Sequence, residues 1–332
     1  MLINDDDFKK DLVLVAGAGG FIGGWLVKNL IDRGYTKIRA VDLKPKNEWY
    51  QSFSQVENLV LDLQGLEEAR VATNNTRLIY NLAADMGGMG FIENNKAACM
   101  LSVLINTHLL MAAKESESQL FFYASSACVY NGSKQENPNN PGLKEEDAYP
   151  AMPEDGYGWE KLFSERMCRH YMEDFGMQTR VARYHNVYGP NGTFEGGREK
   201  APAAICRKVV EAKISGNHEI EIWGDGEQTR SFTYIDDTVF GTQLLTHSAF
   251  SDPINLGSDE MVSINQLVSI AEDIAGIKLK RSYDLSAPKG VRGRNSNNDL
   301  IRSELKWAPS IPLRSGMELT YKWIFDQINS RS

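Results

Sequence analysis

Five consecutive apolar residues, Leu12-Val13-Leu14-Val15-Ala16, run without a break into Gly17-Ala-Gly-Gly20-Phe21-Ile22-Gly23. The run is short, apolar and bounded by glycine, the pattern of a buried strand. Behind the glycines, Trp25, Leu26, Val27, Leu30 and Ile31 recur at helical spacing until Gly34. A strand that turns on glycines directly into a helix leaves few folds open. The helix must pack back on its own strand, and the next strand must lie parallel to the first.

The alternation then repeats. Residues 37–41 read as a strand ending on Asp42, Leu59-Val60-Leu61 as one ending on Asp62, and residues 78–83 as a fourth. A Gly/Met loop and a long helix over about 92–114 precede the fifth strand, Leu120-Phe121-Phe122-Tyr123-Ala124, and residues 180–184 read as a sixth. The pattern predicts an α/β fold, a Rossmann-type doubly wound parallel sheet. Beyond Val187 the alternation loosens into short helices and strands, which predicts a smaller C-terminal substrate lobe. The expected division is residues 1–186, with about 233–257, for the dinucleotide domain, and about 187–232 with 258–332 for the lobe.

A length of 332 residues with 42% hydrophobic content suits one large domain and a lobe. A net charge of -8 argues against nucleic acid as a partner. Cys99, Cys128, Cys168 and Cys206 have no Cys-x-x-Cys spacing and no paired histidines, so they read as reduced thiols and not as metal ligands. The start of the chain is polar and acidic, unlike a signal peptide. No apolar run is seen that reaches the roughly 18 residues of a membrane span. A cytoplasmic protein without membrane contact is expected.

Gly17, Gly20 and Gly23, placed between strand and helix, let a pyrophosphate approach the backbone at a helix N-terminus. Asp42, at the end of the second strand, can accept from both ribose hydroxyls and would repel a 2'-phosphate, which points to NAD. Asp62, at the third strand's end, can accept from an adenine amino group.

The second constellation starts where the fifth strand breaks into Ser125-Ser126-Ala127-Cys128 and ends on Tyr157-Gly-Trp-Glu-Lys161. Tyr157 and Lys161 share one helix face. The ammonium is expected to depress the phenol's pKa and suit it to exchange a proton with an alcohol. The Ser126-Ala127-Cys128 end has no acidic pair, which counts against a dehydratase. Intact Ser126, Tyr157 and Lys161 count against a catalytically dead NAD sensor.

Together with Asp62-Leu63, Asn81-Leu82-Ala-Ala84, Arg183-Tyr-His-Asn186-Val-Tyr-Gly-Pro190 and Gly224-Asp-Gly-Glu-Gln228-Thr-Arg230, these motifs resemble the extended short-chain dehydrogenase/reductase family, mostly nucleotide-sugar epimerases, dehydratases and reductases. Four blocks resemble its GDP-mannose 3,5-epimerase subfamily: Ala84-Asp-Met-Gly87-Gly-Met-Gly-Phe91, Ala124-Ser-Ser-Ala-Cys128, Gly196-Gly-Arg-Glu-Lys200-Ala-Pro-Ala-Ala204 and Gly290-Val-Arg-Gly-Arg294-Asn-Ser296. The resemblance implies a redox-neutral isomerase holding NAD and taking a nucleotide sugar, with Ser126, Tyr157 and Lys161 at the hydride step and Cys128 and Lys200 as the acid/base pair. It adds Phe21, Ile22, Leu63, Leu82 and Ala84 to the cofactor residues. The substrate residues it implies are Gly87, Asn186, Lys208, Gln228, Arg230 and Arg294, beside Ser126, Cys128 and Lys200. A thiol and a desolvated lysine are both expected to be tuned towards neutrality. The resemblance also implies a homodimer. Ile92-Glu93-Asn94, with a carboxylate where the subfamily is expected to carry Gln, and the segment 209–219, beside the expected nucleobase pocket, depart from the subfamily, so an epimerase of another nucleotide sugar, or a nucleotide-sugar dehydratase or reductase, stays open.

Overall fold

The computed structural model describes residues 4–288 and 290–331; residues 1–3, Lys289 and Ser332 of the two expected units lie outside the described residues. In chain order the first elements are β1 (Leu12–Ala16), α1 (Phe21–Asp32), β2 (Lys37–Asp42), β3 (Glu57–Val60), α2 (Leu66–Thr73), β4 (Thr76–Asn81), α3 (Met89–Asn94), α4 (Lys96–Glu115), β5 (Leu120–Ser126), α5 (Tyr157–Phe175) and β6 (Gln178–Tyr184). Then come β7 (Val187–Tyr188), α6 (Ala201–Ser215), β8 (Glu219–Trp223), β9 (Thr229–Ser231), β10 (Thr233–Tyr234), α7 (Ile235–Thr246) and β11 (Ile254–Leu256). The last are β12 (Met261–Ser263), α8 (Ile264–Ala275), β13 (Lys280–Asp284), β14 (Gly293–Arg294), α9 (Asp299–Leu305) and α10 (Leu313–Asn329).

Among the described residues, seven strands form one sheet in the order β11-β6-β5-β4-β1-β2-β3. Every neighbouring pair in it is parallel. Because side chains alternate across a strand, neighbours in one run serve opposite cores. Val13, Leu78 and Phe122 belong to the core shared with α1 and α7, while Leu14, Ile79 and Phe121 belong to the one under α2, α4 and α5. Both faces are covered, which is why these strands read as unbroken apolar runs. The first core continues without interruption through Ile205, Val209, Ile220, Leu267, Val268 and Met317 of the later elements. The C-terminal segments therefore share a core with the sheet. Their own sheets are small: β12-β9-β14 and β13-β8.

Two expectations need correction. The helix over 92–114 is broken at Asn95 into α3 and α4. The side-chain amides of Asn94 and Asn95 donate to the carbonyls of Gly90 and Phe91, at 2.7 and 2.9 Å, which a continuing helix would pair with backbone N–H groups. The second concerns α4, whose 20 residues are long and apolar enough to cross a membrane by length and composition. Here the helix instead buries Cys99, Ile105, Leu109, Leu110, Ala112 and Ala113 against the protein. That face packs against α2 and α5, while Met100 and Leu101 stay exposed.

One ion pair holds the β5–β6 region together. Arg183 reaches Glu165 through Nε and Nη2 at 2.9 and 2.8 Å, and both side chains are 3% exposed. Arg183→Met would leave the Glu165 carboxylate buried without its cation, and should cost about 3–5 kcal/mol in urea unfolding. A loss under about 1 kcal/mol, the range of an exposed pair, would mean the pair is incidental.

Candidate active site

With all strands of the large sheet parallel, the residues that leave their C-terminal ends gather along one edge. β1 and β4 are neighbours there, and the chain order reverses between them, which opens a crevice. Gly17 has φ of +84°, and a Cβ there would lie 2.9 Å from the Ala83 nitrogen. A Cβ on Gly23 would lie 2.1 Å from the Gly17 carbonyl oxygen, so this turn can close only with glycine at both places. Gly20 caps α1, and Phe21 and Ile22 begin it. Asp42 ends β2 and accepts the Lys44 N–H at 3.0 Å through one carboxylate oxygen. Asp62 is exposed just past β3, Leu63 is buried behind it, and Leu82 and Ala84 follow β4. A backbone hollow at a helix N-terminus with a carboxylate at the neighbouring strand end fits a dinucleotide. Trp49, which sequence reasoning passed over, braces this edge: Nε1 donates to the Lys44 carbonyl at 2.8 Å, and the Tyr50 N–H reaches the Gly19 carbonyl at 3.2 Å.

Ser126 ends β5, and its Oγ accepts the Cys128 N–H at 3.2 Å, capping a short 3₁₀ turn that carries the thiol. Tyr157 opens α5 and shares an apolar cluster with Ile92, Cys99 and Cys128. Lys161 keeps the face its spacing suggested, with Nζ 5.4 Å from the centre of the Tyr157 ring. Its Nζ donates to the Tyr123 hydroxyl at 3.1 Å and lies 3.4 Å from Glu160 Oε2. Burial raises the Tyr157 phenol well above its ordinary range, Cys128 and Glu160 act in the same direction, and the Ser126 hydroxyl lowers it. The net shift of the phenol is therefore upward, against the expected depression. The ammonium is drawn to Glu160 and Tyr123, which no spacing rule ties to it.

The far wall comes from the later elements. Arg198 Nη1 donates to Asp85 Oδ1 at 2.7 Å and to the Met86 carbonyl at 3.2 Å, and the Gly88 N–H donates to the Arg198 carbonyl at 3.0 Å. This clamp joins the Gly87 loop to the segment that ends on Lys200, the residue capping α6. Burial lowers the pKa of Lys200, while the Cys128 and Glu154 charges raise it and Arg294 lowers it further. Arg294, buried on β14, donates to Gln135 Oε1 at 2.6 Å and Glu154 Oε1 at 2.8 Å, and its Nη1 points at the Cys128 sulfur at 3.6 Å. Burial and then the Glu154 charge push the Cys128 thiol up to about 11, against the expected shift towards neutrality. Burial, Arg294 and Arg292 lower Arg230 to about 10, while Glu154 and Cys128 act to raise it.

Of the remaining predicted residues, Lys208 and Gln228 bond to β8 and Asn186 to β9. Lys208 Nζ donates to the Glu221 carbonyl at 2.8 Å, Gln228 Nε2 to the Trp223 carbonyl at 2.8 Å, and Asn186 Nδ2 to the Ser231 carbonyl at 3.0 Å. Cys128, Lys200, Arg230 and Arg294 thus form one charged cluster, with Glu154 as the member that sequence reasoning missed. A groove of about 720 Å³ lined by Glu145, Arg166, Arg169, Val181 and Asp252 shares no residue with it. Among the described residues no group of three His, Cys, Asp or Glu could hold a metal ion.

A family model, the NAD dependent epimerase/dehydratase family, matches residues 13–257. The chain belongs to that family. Its curated relatives include GDP-mannose 3,5-epimerase of Arabidopsis thaliana, 45% identical over 317 residues, 95% of this chain and 82% of that one. GDP-mannose 3,5-epimerase 1 of Oryza sativa subsp. indica is 46% identical over 321 residues, 96% and 83% of the two chains. The solved UDP-glucose 4-epimerase of Thermotoga maritima superposes with a TM-score of 0.85 at 22% identity, over 96% of this chain and 99% of that one. MoeE5, solved with UDP-glucose and NAD, gives 0.79 at 26% identity over 97% and 100%. As a member of an NAD-dependent epimerase family the protein uses NAD, and the glycine turn with Asp42 is where its own residues fit it.

Gly23→Ala tests that fit. The added Cβ meets backbone, so the turn must open, and the purified variant should lose most of its bound NAD and melt at a lower temperature. Full NAD occupancy at an unchanged melting temperature would refute the role given to this turn.

Proposed function

We propose that this chain is a GDP-mannose 3,5-epimerase, an isomerase that inverts two ring carbons through a transient ketone. The relatives at 45–46% identity support the substrate. The observation that carries the chemistry is the Arg294 guanidinium set between the Cys128 sulfur and Glu154, at 3.6 and 2.8 Å, with Lys200 close enough to feel the same charges. In this reading residues 1–186 with 233–257 hold the cofactor, and residues 187–232 with 258–332 hold the nucleotide sugar.

A hexose C–H beside an alcohol has no useful acidity. A ketone at carbon 4 makes the hydrogens on carbons 3 and 5 acidic together. NAD, when bound, supplies an acceptor that takes the hydride from carbon 4 and gives it back. Tyr157 exchanges the proton of the carbon 4 hydroxyl. Burial favours its protonated phenol, the acid form needed for the return step. Ser126 keeps its hydroxyl within reach of that exchange. Cys128 and Lys200 carry the ring protons. The lowered Lys200 gives up its own proton more readily than an exposed lysine, which suits it to the base role. Arg230 and Arg294 supply the cationic side of the site, with Gly87 in the loop clamped to it, and Asn186, Lys208 and Gln228 extend it towards the nucleotide.

We also propose a homodimer formed through α4 and α5. Met100, Leu101, Trp159 and Phe163 on these helices are 46, 50, 43 and 51% exposed, an apolar surface that a second copy would cover. A monomeric mass by light scattering would overturn it. Residence in the cytoplasm is proposed on the four free, buried cysteines, and recovery in a membrane pellet on fractionation would count against it.

The deciding experiment is a screen of GDP- and UDP-sugars in deuterated water, read by NMR. GDP-mannose should take up deuterium at carbons 3 and 5; incorporation only with another sugar would reassign the substrate. Cys128→Ala should keep NAD and 4-keto formation while exchange falls by about 10²–10⁴-fold. Tyr157→Phe should stop exchange altogether, because no ring hydrogen is acidic without the ketone. Wild-type deuterium uptake in Cys128→Ala would make the thiol structural.

A further inference from the structure

Glu154 lies in the loop just ahead of α5, three residues before Tyr157. Its backbone N–H donates to the Cys128 carbonyl at 3.0 Å. Its Oε1 accepts from Arg294 Nη2 at 2.8 Å, and 13% of its side chain is exposed. Arg294 in turn directs Nη1 at the Cys128 sulfur at 3.6 Å. The contacts close a ring: Cys128 main chain, Glu154 main chain, carboxylate, guanidinium, sulfur. We propose that Glu154 is a positioning residue for proton transfer at Cys128, its carboxylate paired with the Arg294 guanidinium that faces the sulfur and offsetting that cation's charge there. This rests on the reading of Cys128 as a proton carrier.

An arginine pointed at a buried sulfur would by itself favour the thiolate. The groups facing Cys128 are Ser126 from β5, Tyr157 from α5, Lys200 ahead of α6, Arg230 from β9, Arg294 from β14 and Glu154 itself. Among the described residues in that set, Glu154 is the carboxylate. Burial works to raise it, but Arg294, the Cys128 thiol and Arg230 together hold it below its ordinary range, so it is an anion at neutral pH. That anion offsets Arg294 and, with burial, keeps the sulfur protonated. Its Oε2 is buried without a hydrogen-bond partner in this structure, which leaves the carboxylate an oxygen able to accept the S–H. Arg294 has a further anchor in Gln135 Oε1, so the guanidinium stays in place when the carboxylate is neutralised. Loss of the charge at 154 then leaves the sulfur facing cations alone.

The test titrates the thiol in the NAD-loaded protein without any sugar. Ultraviolet thiolate absorbance is followed against pH, each variant being referenced to its own Cys128→Ala counterpart so that NAD, tyrosines and the other thiols cancel. Glu154→Gln should move the Cys128 midpoint towards acid by about one to three pH units, the range of a lost like charge at close contact. Glu154→Asp, which keeps the charge, should titrate nearer the wild type. Arg294→Gln should shift the midpoint towards alkali. Superimposed curves for Glu154→Gln and the wild type overturn the proposal. If Glu154→Gln does not fold by circular dichroism, Arg294→Gln decides alone: an unmoved or acid-shifted midpoint sinks it. Because no sugar is present, a failed substrate screen with the shift intact would defeat the substrate reading and leave this one standing.

Discussion

All the pairings in the large sheet are parallel, and that single constraint organises the molecule. A parallel pair cannot be closed by a hairpin, so each strand must be followed by a crossover that covers a face of the sheet. The crossovers bury both faces, and the strand ends are left as the place where polar residues can be held in fixed positions without crossing the core. Gly17, Asp42, Leu82 and Ser126 come from four different strands, yet all emerge at that edge. The reversal of strand order between β1 and β4 supplies the gap between helices that a dinucleotide requires.

The opposite wall is built differently. Apart from β11, which joins the large sheet, the strands after β6 form only small sheets, and they owe their place to the core they share with the large one. Polar contacts then set the fine position: Arg198 on Asp85 and Met86 brings Lys200 in, and Gln135 with Glu154 holds Arg294. Five ionisable groups end up close enough to perturb one another. Burial dominates the shifts of Cys128, Lys200 and Arg230, and the signs differ because the same desolvation disfavours an anion at sulfur and a cation at nitrogen. One site can therefore keep a thiol protonated while easing the proton off an amine.

Much of this was legible in the chain. The period of apolar residues and the glycine turn settled the strand–helix order up to Tyr184, because local geometry alone can satisfy them. The breaker signals were weaker: nothing in Asn94-Asn95 distinguishes amides that cap a broken helix from amides exposed on a continuous one. The apolar stretch of α4 was underrated for the opposite reason, since its hydroxyl- and amide-bearing residues face the core, with Ser102 and Asn106 buried there.

The sequence by itself determined the parallel α/β plan, the glycine turn and the Tyr157–Lys161 pair, all of which depend on residues close together in the chain. Tertiary structure decided what those groups do electrostatically. Lys161 answers to Glu160 and Tyr123, and Cys128 answers to Glu154 and Arg294, and the latter cation is 166 residues away in the chain. Desolvation and through-space charge depend on which side chains the fold packs together, and no spacing along a chain encodes that.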